Sequence, residues 1–450
     1  MSKKVFIAII IIAALALSAC GAEQAPLEAI SSPLPAQETA EAVLETTVPE
    51  NDEPTGSAIS AIAPVEPQAT AAQAYSSLYQ AIPLPEEMRA MWISFLEWND
   101  SDIASEEAMR NLIINMFDNC LSMGLNTVIV AVRPFSDAFY QSAYYPWSHL
   151  IGGAQGQDPG YDPLTLIAEE AHARGLRVEA WLNPYRVSHP SFGPDELSAD
   201  NPAALNPEWL REQSGRWLDP GIPEVRSLIV NGVVEIVSNY NVDGIHFDDY
   251  FYPEGNTEAF DDATFQQYGG GLDRADWRRQ NVNEMVSSVY AAVKAANPSV
   301  SFGVSPQGNN ENNYNEQYCD INMWMEQPGY ADYIMPQLYW GFNYTRNGDD
   351  RASYHNKTAE WASYSRGEHV KLYAGLGAYR IGEGDGSDDS QGEWQNGHNL
   401  ADMVSYLRTV PGFSGFALFR YANLYPLQDG AAYADLSASE AAALTAAIGA

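Results

Sequence analysis

The stretch DGIHFDDYFYP, residues 243–253, combines a short β-rich run with a cluster of polar side chains at its end. Successive side chains of a β-strand point to opposite faces. Ile245 and Phe247 form an apolar pair on one face, so His246 and Asp248 lie on the other. If this strand belongs to a closed barrel covered by helices, the apolar pair faces the helices. The polar side chains then point to the barrel interior and its mouth.

Runs of similar composition recur through residues 86–450, with helical patterns between several of them. We predict strands at residues 89–95, 127–134, 177–185, 244–252, 300–306, 333–340, 370–379 and 415–421. We predict helices at residues 105–123, 163–174, 223–240, 275–296, 354–366 and 400–409. This alternation predicts an α/β fold, a TIM (β/α)8 barrel with long βα loops. The alternative is a doubly wound open sheet, which usually has a glycine-rich phosphate turn after its first strand, and this sequence has none there.

The polar members of the other predicted strands lie toward the strand ends. The same alternation directs these side chains inward: Trp92, Ser94, Arg133, Trp181, Asn183, Tyr250, Ser305, Met335, Gln337, Tyr339, Tyr373 and Tyr379. Each of them alone is compatible with an ordinary barrel core. TIM barrels build their active sites at the carboxyl ends of the strands. The convergence of these residues on one rim therefore predicts a binding site there.

Three long loops follow the third, fourth and fifth predicted strands, at residues 186–222, 253–274 and 307–332. Loops of this length usually carry function or are disordered. They are rich in Asn, Tyr, Trp and Gly. Aromatic rings cover the C–H faces of a sugar, and amide and carboxylate groups bind its hydroxyls. This composition indicates a neutral polyhydroxylated ligand, such as the sugars of a polysaccharide.

Paired carboxylates at the end of the fourth strand are the leading catalytic candidates. Glycoside hydrolysis needs a proton donor to the leaving oxygen and a second group on the other side of the ring. Asp248 is expected to enter the site, whereas Asp249 points away and holds a neighbour or raises the proton affinity of Asp248. Glu326 is our first candidate for the second carboxylate. Other candidates for that role are Asp137, Glu254 and Glu311.

Two alternative readings of the carboxylate pair stay open. An N-acetyl group of the sugar can itself attack, and Asp248 and Tyr339 would suit such a substrate-assisted site. The pair Asp248 and Asp249 is also compatible with strand-end caps or a cation site.

Other chemistries fit the sequence less well. It contains neither an H-E-x-x-H motif nor a G-x-S-x-G motif. Cys120 and Cys319 are interpreted as buried or idle thiols. Residues 385–393 imitate a calcium loop but lack its central glycine, so a solvated acidic loop is expected there. We predict no metal and no cofactor. The net charge of −36, from 23 basic and 59 acidic residues, excludes nucleic acid as a partner.

The N-terminus carries an export pattern. Residues 1–19 resemble a bacterial lipoprotein signal peptide, which ends in LSAC at residues 17–20. In that pattern Cys20 is lipidated; the alternative is an ordinary secretory signal with a chance cysteine. Residues 20–85 are rich in Pro, Ala and acidic residues and contain no Lys or Arg, which predicts a disordered linker. We expect an exported lipoprotein, anchored through Cys20 on the outer side of the cytoplasmic membrane or in the outer membrane.

Several longer motifs resemble a known family. They are RAMW at 89–92, VRPFSDAFY at 132–140, PWS at 146–148, GQDPGYDPL at 156–164, EAHARGL at 170–176, AWLNPYR at 180–186, WLDPG at 217–221, residues 243–253 and PQLYW at 336–340. They are similar to the glycosyl-hydrolase-like family distantly related to family-ten glycosidases. The resemblance covers roughly residues 86–425. It implies a TIM barrel, often on secreted lipoproteins, that acts on bacterial cell-wall glycan, notably strands without their peptides.

The motifs and the strand alternation together give the predicted substrate-binding residues: Trp92, Arg133, Asp137, Trp181, Asn183, Tyr185, Arg186, His246, Tyr250, Gln337, Tyr339 and Trp340. The sequence departs from the family pattern at residues 307–314 and 95–100, which puts subsite specificity in doubt. Two function classes result. The first is a glycoside hydrolase acting on peptidoglycan glycan or a related polysaccharide. The second is a catalytically silent glycan-binding lipoprotein, because a fold does not prove chemistry. A second carboxylate facing Asp248 across the cleft distinguishes them.

Overall fold

The computed structural model describes residues 79–98, 103–194, 196–255, 258–388, 392–428 and 430–449. The predicted signal peptide, Cys20 and residues 21–78 of the predicted linker lie outside the described residues. None of the helices in the described ranges is long and apolar enough to cross a membrane.

The strands follow the predicted order. In chain order they are β1 (Met88–Ile93), β2 (Thr127–Arg133), β3 (Arg177–Leu182), β4 (Arg186–Ser188), β5 (Leu210–Glu212), β6 (Arg216–Leu218), β7 (Gly244–Phe247), β8 (Ser301–Val304), β9 (Tyr333–Ile334), β10 (Lys371–Gly377) and β11 (Phe413–Phe419). Eight of them close a barrel in the order β1-β11-β10-β9-β8-β7-β3-β2, and every neighbouring pair is parallel. The remaining strands form a small antiparallel sheet, β4-β6-β5, in the loop after β3.

Helices connect the strands of this barrel, the long ones on its outside and several short ones in the loops at its rim. They are α1 (Glu106–Ser122), α2 (His149–Gly152), α3 (Pro163–Ala173), α4 (Pro202–Leu205), α5 (Pro223–Asn239), α6 (Asp262–Tyr268), α7 (Arg274–Ala296), α8 (Asn310–Asn315), α9 (Ile321–Glu326), α10 (Tyr354–Ser363), α11 (Asn399–Leu407), α12 (Tyr421–Leu424) and α13 (Ala434–Gly449). Short 3-10 helices cover Pro207–Trp209, Glu258–Phe260, Ala378–Arg380 and Glu393–Gln395. A closed parallel barrel with helices between its strands is a TIM barrel, which confirms the predicted fold.

Two apolar layers hold the barrel together, and the strand alternation separates them. Ile245 and Phe247 lie in the large cluster between strands and helices, as predicted. Trp92, Trp181 and Met335 belong to the smaller cluster inside the barrel. The period of two residues along a strand thus assigns these side chains correctly.

The strands are shorter than predicted at their carboxyl ends. β9 ends at Ile334 because Pro336 lacks the backbone N–H that a continued ladder requires. Beyond it, Gln337 makes two isolated bridges, one to Gln307 and one to Gly375. β7 likewise ends at Phe247. The residues predicted as the last part of each strand therefore belong to the loops of the rim, where the alternation no longer applies.

The amino-terminal face of the barrel is closed by residues 79–85, which the sequence analysis assigned to the linker. The Tyr79 hydroxyl and the Ile82 backbone N–H donate to Asp243 Oδ1 at 2.5 and 2.6 Å. Lys371 Nζ donates to the Pro85 carbonyl at 2.7 Å. The buried Arg177 guanidinium pairs with Glu179 and donates to the Ile82 carbonyl. These contacts join the segment to the barrel.

Candidate active site

A large cleft opens at the carboxyl ends of the barrel strands, with a volume of about 1830 Å³. Its walls are formed by the loops that follow the strands, and its floor is formed by aromatic residues of the barrel interior. Ten of the predicted site residues line it: Trp92, Trp181, Arg186, His246, Asp248, Asp249, Tyr250, Gln337, Tyr339 and Trp340. The structure therefore brings most of the predicted site residues together in one cleft.

Asp248 is a buried carboxylate of this cleft, with 6% of its surface exposed. Trp181 Nε1 donates to its Oδ2 at 3.1 Å, and Asn183 Nδ2 donates to its Oδ1 at 3.2 Å. Burial, followed by the neighbouring charge of Asp249, raises the pKa of Asp248 to about 7. Asp248 is thus held in one orientation by neutral donors and changes charge near neutral pH.

Asp249 also reaches the cleft, which corrects the expectation that it points away. Because β7 ends at Phe247, strand alternation does not separate the two carboxylates. Gln337 Nε2 donates to Asp249 Oδ1 at 3.0 Å and also to the Ser305 carbonyl at 3.1 Å. Burial raises the pKa of Asp249 above its usual range. The strand end therefore delivers two adjacent acids to one site.

Glu254 supplies a further carboxylate on the wall of the cleft, six residues after Asp248. Partial burial, then the charges of Asp249 and Glu316, raise the pKa of Glu254 to about 7. Its side chain is open to solvent, which screens these charges. Among the acids named as candidates for the second catalytic group, Glu254 and Glu311 line the cleft, whereas Asp137 and Glu326 do not.

The structure places Glu326, our first candidate for the second catalytic carboxylate, away from the cleft. Glu326 is the last residue of α9, it is exposed, and it does not belong to the cleft lining. The short helix α9 turns its apolar residues Ile321, Trp324 and Met325 into the core. That orientation directs Glu326 to the outer surface.

Three predicted binding residues lie under the rim instead of in the cleft. The strand register shifts between Ala131 and Arg133, and the Arg133 guanidinium lies 4.7 Å from the centre of the Tyr145 ring, outside the barrel interior. Asp137 is fully buried and accepts hydrogen bonds from His149 Nδ1 and Gln155 Nε2, each at 2.9 Å. Tyr185 is fully buried in the layer between strands and helices.

Asn183 has an indirect place in the site. It does not line the cleft, but it bonds Asp248 and its Oδ1 accepts the Arg186 backbone N–H at 2.9 Å. Asn183 therefore positions two of the cleft residues at once.

A buried polar chain runs beneath the cleft floor. Trp92 Nε1 donates to His246 Nε2 at 3.3 Å, so that nitrogen must be unprotonated. The proton of the neutral ring then lies on Nδ1, which is 2.8 Å from the Tyr333 hydroxyl. Tyr333 donates in turn to Glu179 Oε2 at 3.1 Å. Burial lowers the pKa of His246 to about 3, so the ring is neutral at ordinary pH and orients Trp92.

Aromatic rings form the remaining floor of the cleft. The Phe419 ring lies between those of Trp92 and Trp181, with centroid distances of 5.9 and 6.3 Å, and it stacks on Tyr339 at 5.7 Å. Tyr379 meets Tyr339 edge to face at 5.5 Å. Such surfaces suit the C–H faces of sugar rings.

Glu97 is a buried cleft residue that the sequence analysis did not single out. Its Oε2 accepts from the backbone N–H and hydroxyl of Ser94, and its Oε1 accepts from the Ala422 N–H. It also pairs with Arg420. Both oxygens are occupied, so Glu97 joins the loops after β1 and β11. Its chain neighbours are Leu96 and Trp98, and no local pattern in the sequence distinguishes it.

Other side chains that could take part in a reaction or bind a metal have structural roles or unfavourable surroundings. The described residues contain no group of three or more His, Cys, Asp or Glu side chains that could hold a metal ion. Asp385 accepts from the Gly341 N–H and Glu393 from the Phe342 N–H, so these acids fix a turn. Cys319 reaches the cleft, but burial raises the pKa of its thiol, which disfavours the nucleophilic thiolate.

Comparison with known proteins assigns this chain to a family. The family described as Glycosyl hydrolase-like 10 matches residues 87–395. This chain belongs to that family. It is 39% identical over 320 residues to "Glycosyl hydrolase YngK" of Bacillus subtilis (strain 168), covering 66% of this chain and 61% of that protein. It is 35% identical over 389 residues to "Glycosyl hydrolase DigH" of Escherichia coli (strain K12), covering 77% of this chain and 86% of that protein.

A solved structure shares the fold of this glycosyl hydrolase-like 10 member. It is the glycoside hydrolase domain of PgaB (BpsB) from Bordetella bronchiseptica, with a TM-score of 0.51 at 12% sequence identity. The similarity covers 78% of this chain and 99% of that domain. At this level of identity the likeness concerns the barrel alone.

Proposed function

We propose that this protein is a glycoside hydrolase that cleaves glycosidic bonds in peptidoglycan glycan strands or a related polysaccharide. The observation that carries the proposal is the pair Asp248 and Glu254, two carboxyl groups with raised pKa values in one aromatic-lined cleft. Carboxyl groups tuned in this way act as acid and base in glycosidases. Membership in the glycosyl hydrolase-like 10 family supports the same reaction class.

The surroundings of the two carboxyl groups suggest separate roles. Trp181 and Asn183 donate hydrogen bonds to Asp248, and such donors favour its ionised form. Glu254 faces the charge of Asp249, which favours its protonated form. In our proposal Glu254 protonates the leaving oxygen. Asp248 then acts on the anomeric side, either directly or by orienting an N-acetyl group of the substrate with help from Tyr339.

The cellular setting is part of the proposal. A lipid on Cys20 would anchor the protein on the outer side of the cytoplasmic membrane or in the outer membrane, with residues 21–78 as a tether. The described body begins at Tyr79 on the amino-terminal face of the barrel. In this arrangement the cleft opens on the face opposite to the tether, toward the surrounding glycan.

The proposal is tested by incubating the protein with purified peptide-free glycan strands and detecting soluble sugars by mass spectrometry. Asp248→Asn is expected to abolish their release while its thermal midpoint stays at or above that of the wild type. Asp435→Asn, an exposed position on α13, is the matched control and is expected to retain full release.

Two results would contradict the hydrolase. One is equal release by Asp248→Asn and by the wild type. The other is binding of the glycan by the wild type without any release, which would favour the catalytically silent glycan-binding protein.

A further inference from the structure

We propose that Arg186 binds a carboxylate carried by the substrate sugar next to the bond that is cleaved, so that the preferred glycan is acidic. This inference rests on the proposed hydrolase function and specifies its substrate class.

Most basic side chains of the cleft already have acidic partners. Arg420 pairs with Glu97. Lys357 Nζ lies 2.8 Å from Glu360, and Arg351 lies 2.6 Å from Asp349. These pairs neutralise their charges within the protein, so they offer little net charge to a ligand.

Arg186 differs from these side chains. Within the part of the chain that the structure describes, its guanidinium forms no ion pair, although it lines a cleft that contains Asp248, Asp249 and Glu254. Only 8% of its surface is exposed. A buried cation without a direct carboxylate partner is costly, and a ligand anion would offset that cost.

The guanidinium of Arg186 is held in a defined orientation. It lies 3.5 Å from the centre of the Tyr250 ring and 5.6 Å from that of Trp217. The backbone N–H of Arg186 is fixed by Asn183 Oδ1. One N–H of Arg186 also donates to the Tyr250 hydroxyl. A planar guanidinium has five N–H donors, so others along its edge can still match a carboxylate with two parallel hydrogen bonds.

The position of Arg186 relates this edge to the reaction. Its charge lowers the pKa values of Asp248, Asp249 and Glu254, although burial keeps all three raised. It therefore lies close to the reacting groups. An acidic sugar would be repelled by these carboxylates unless a cation compensates its charge, and Arg186 is placed to do so.

A second role for Arg186 has to be separated from this one, because the same charge tunes the acids of the site. The two roles differ in their dependence on the substrate. Tuning affects cleavage of every glycan equally, whereas carboxylate binding affects only glycans that carry the carboxylate.

The test compares two forms of one probe: peptide-free glycan strands with free lactyl carboxylates, and the same strands after amidation of those carboxylates. The wild type is expected to show a kcat/KM about 10- to 100-fold higher for the free acid, as a charged hydrogen-bonded pair implies. In Arg186→Gln this ratio is expected to fall toward one. Arg186→Lys should give an intermediate ratio because it keeps the charge and loses the planar fork. Arg366→Gln, outside the cleft lining, is the control and should keep the wild-type ratio.

A ratio that is the same in the wild type and Arg186→Gln, together with a displaced pH profile, would overturn the inference and leave only the tuning role. Binding measured by calorimetry on Asp248→Asn separates this failure from that of the hydrolase. If Asp248→Asn binds the free acid more tightly than the amidated glycan, and the double variant Asp248→Asn with Arg186→Gln does not, the carboxylate site is supported whether or not cleavage occurs. Equal binding of both glycans contradicts it.

Discussion

Asp248 and Asp249 are carboxyl groups whose protons are held more tightly in the folded protein than in the unfolded chain. Burial raises the pKa of each, that of Asp248 to about 7. Between about pH 4 and pH 7 the folded state then binds more protons than the unfolded state. The free energy of unfolding therefore decreases as the pH rises through this window, since ionised carboxylates are buried at its upper end.

Asp248→Asn removes one of these buried charges. We expect the variant to unfold with a free energy roughly 1–3 kcal/mol above that of the wild type at about pH 8, with little gain at about pH 4. Chemical denaturation at both pH values measures the difference. An equal change at both values would show that the charge of Asp248 is not what the substitution relieves.

For residues within the strands, the sequence could predict which side chains point into the barrel. Beyond the strand ends it could not. Trp92, Trp181 and His246 were assigned inward by a period of two residues, and the structure places them on the cleft floor. Arg133 was misassigned because a register shift interrupts that period at the end of β2. Glu326 was misassigned because a short helix within a loop sets its direction, and spacing along the chain contains no information on that direction.

At the scale of elements, α13 supports α11 through one buried carboxylate. Glu440 is 2% exposed and accepts hydrogen bonds from the backbone N–H groups of Asn399, Leu400 and Ala401 at 3.0, 2.7 and 3.2 Å. These groups form the first turn of α11, where backbone donors lack partners within the helix. The negative charge also complements the helix dipole.

Burial raises the pKa of Glu440, so its charge alone does not stabilise the fold. Glu440→Gln keeps the size of this side chain but leaves one acceptor oxygen for three backbone donors. We expect the free energy of unfolding to fall by about 1–3 kcal/mol. Denaturant titration gives the value, and Glu368→Gln, at an exposed surface turn, is the matched control. A loss no greater than that of the control would mean that Glu440 is not an effective cap.

The helices were predicted more accurately than the strands. Helix α1 was expected at 105–123 and spans 106–122, with Ser105 as its N-cap. Caps and a period near 3.6 residues are local signals, so one sequence contains them. The strand ends depend on pairing with distant strands. Pro336, two residues after the end of β9, is a local signal for the end of that strand.

At the scale of the whole molecule, the two faces of the barrel have different tasks. The carboxyl-end face holds the cleft, and the amino-terminal face is closed by residues 79–85. This segment satisfies the buried Asp243 and Arg177. The domain therefore begins several residues before the boundary at 86 that composition suggested, because the segment has too few charged residues to differ from the linker.

A chain that starts at residue 86 is expected to be less stable than one that starts at residue 79. Asp243 and Arg177 lose partners and Leu84 no longer packs under the barrel, which together cost roughly 2–4 kcal/mol. Thermal and chemical denaturation of the two chains measure the loss. Glycan cleavage well below the melting temperature should differ little, since the cleft lies at the other face. Equal stability would show that residues 79–85 do not contribute to the fold.

The most direct test of the central claim follows the oxygen of water into the product. Peptide-free glycan is digested in water enriched in heavy oxygen by the wild type and by Glu254→Gln, and new reducing ends are analysed by mass spectrometry. We predict one heavy oxygen in each new reducing end, formed about 10²- to 10⁴-fold more slowly by the variant, as expected for loss of a general acid. New ends without heavy oxygen, or equal rates for the two proteins, would contradict hydrolysis by the carboxyl groups of this cleft.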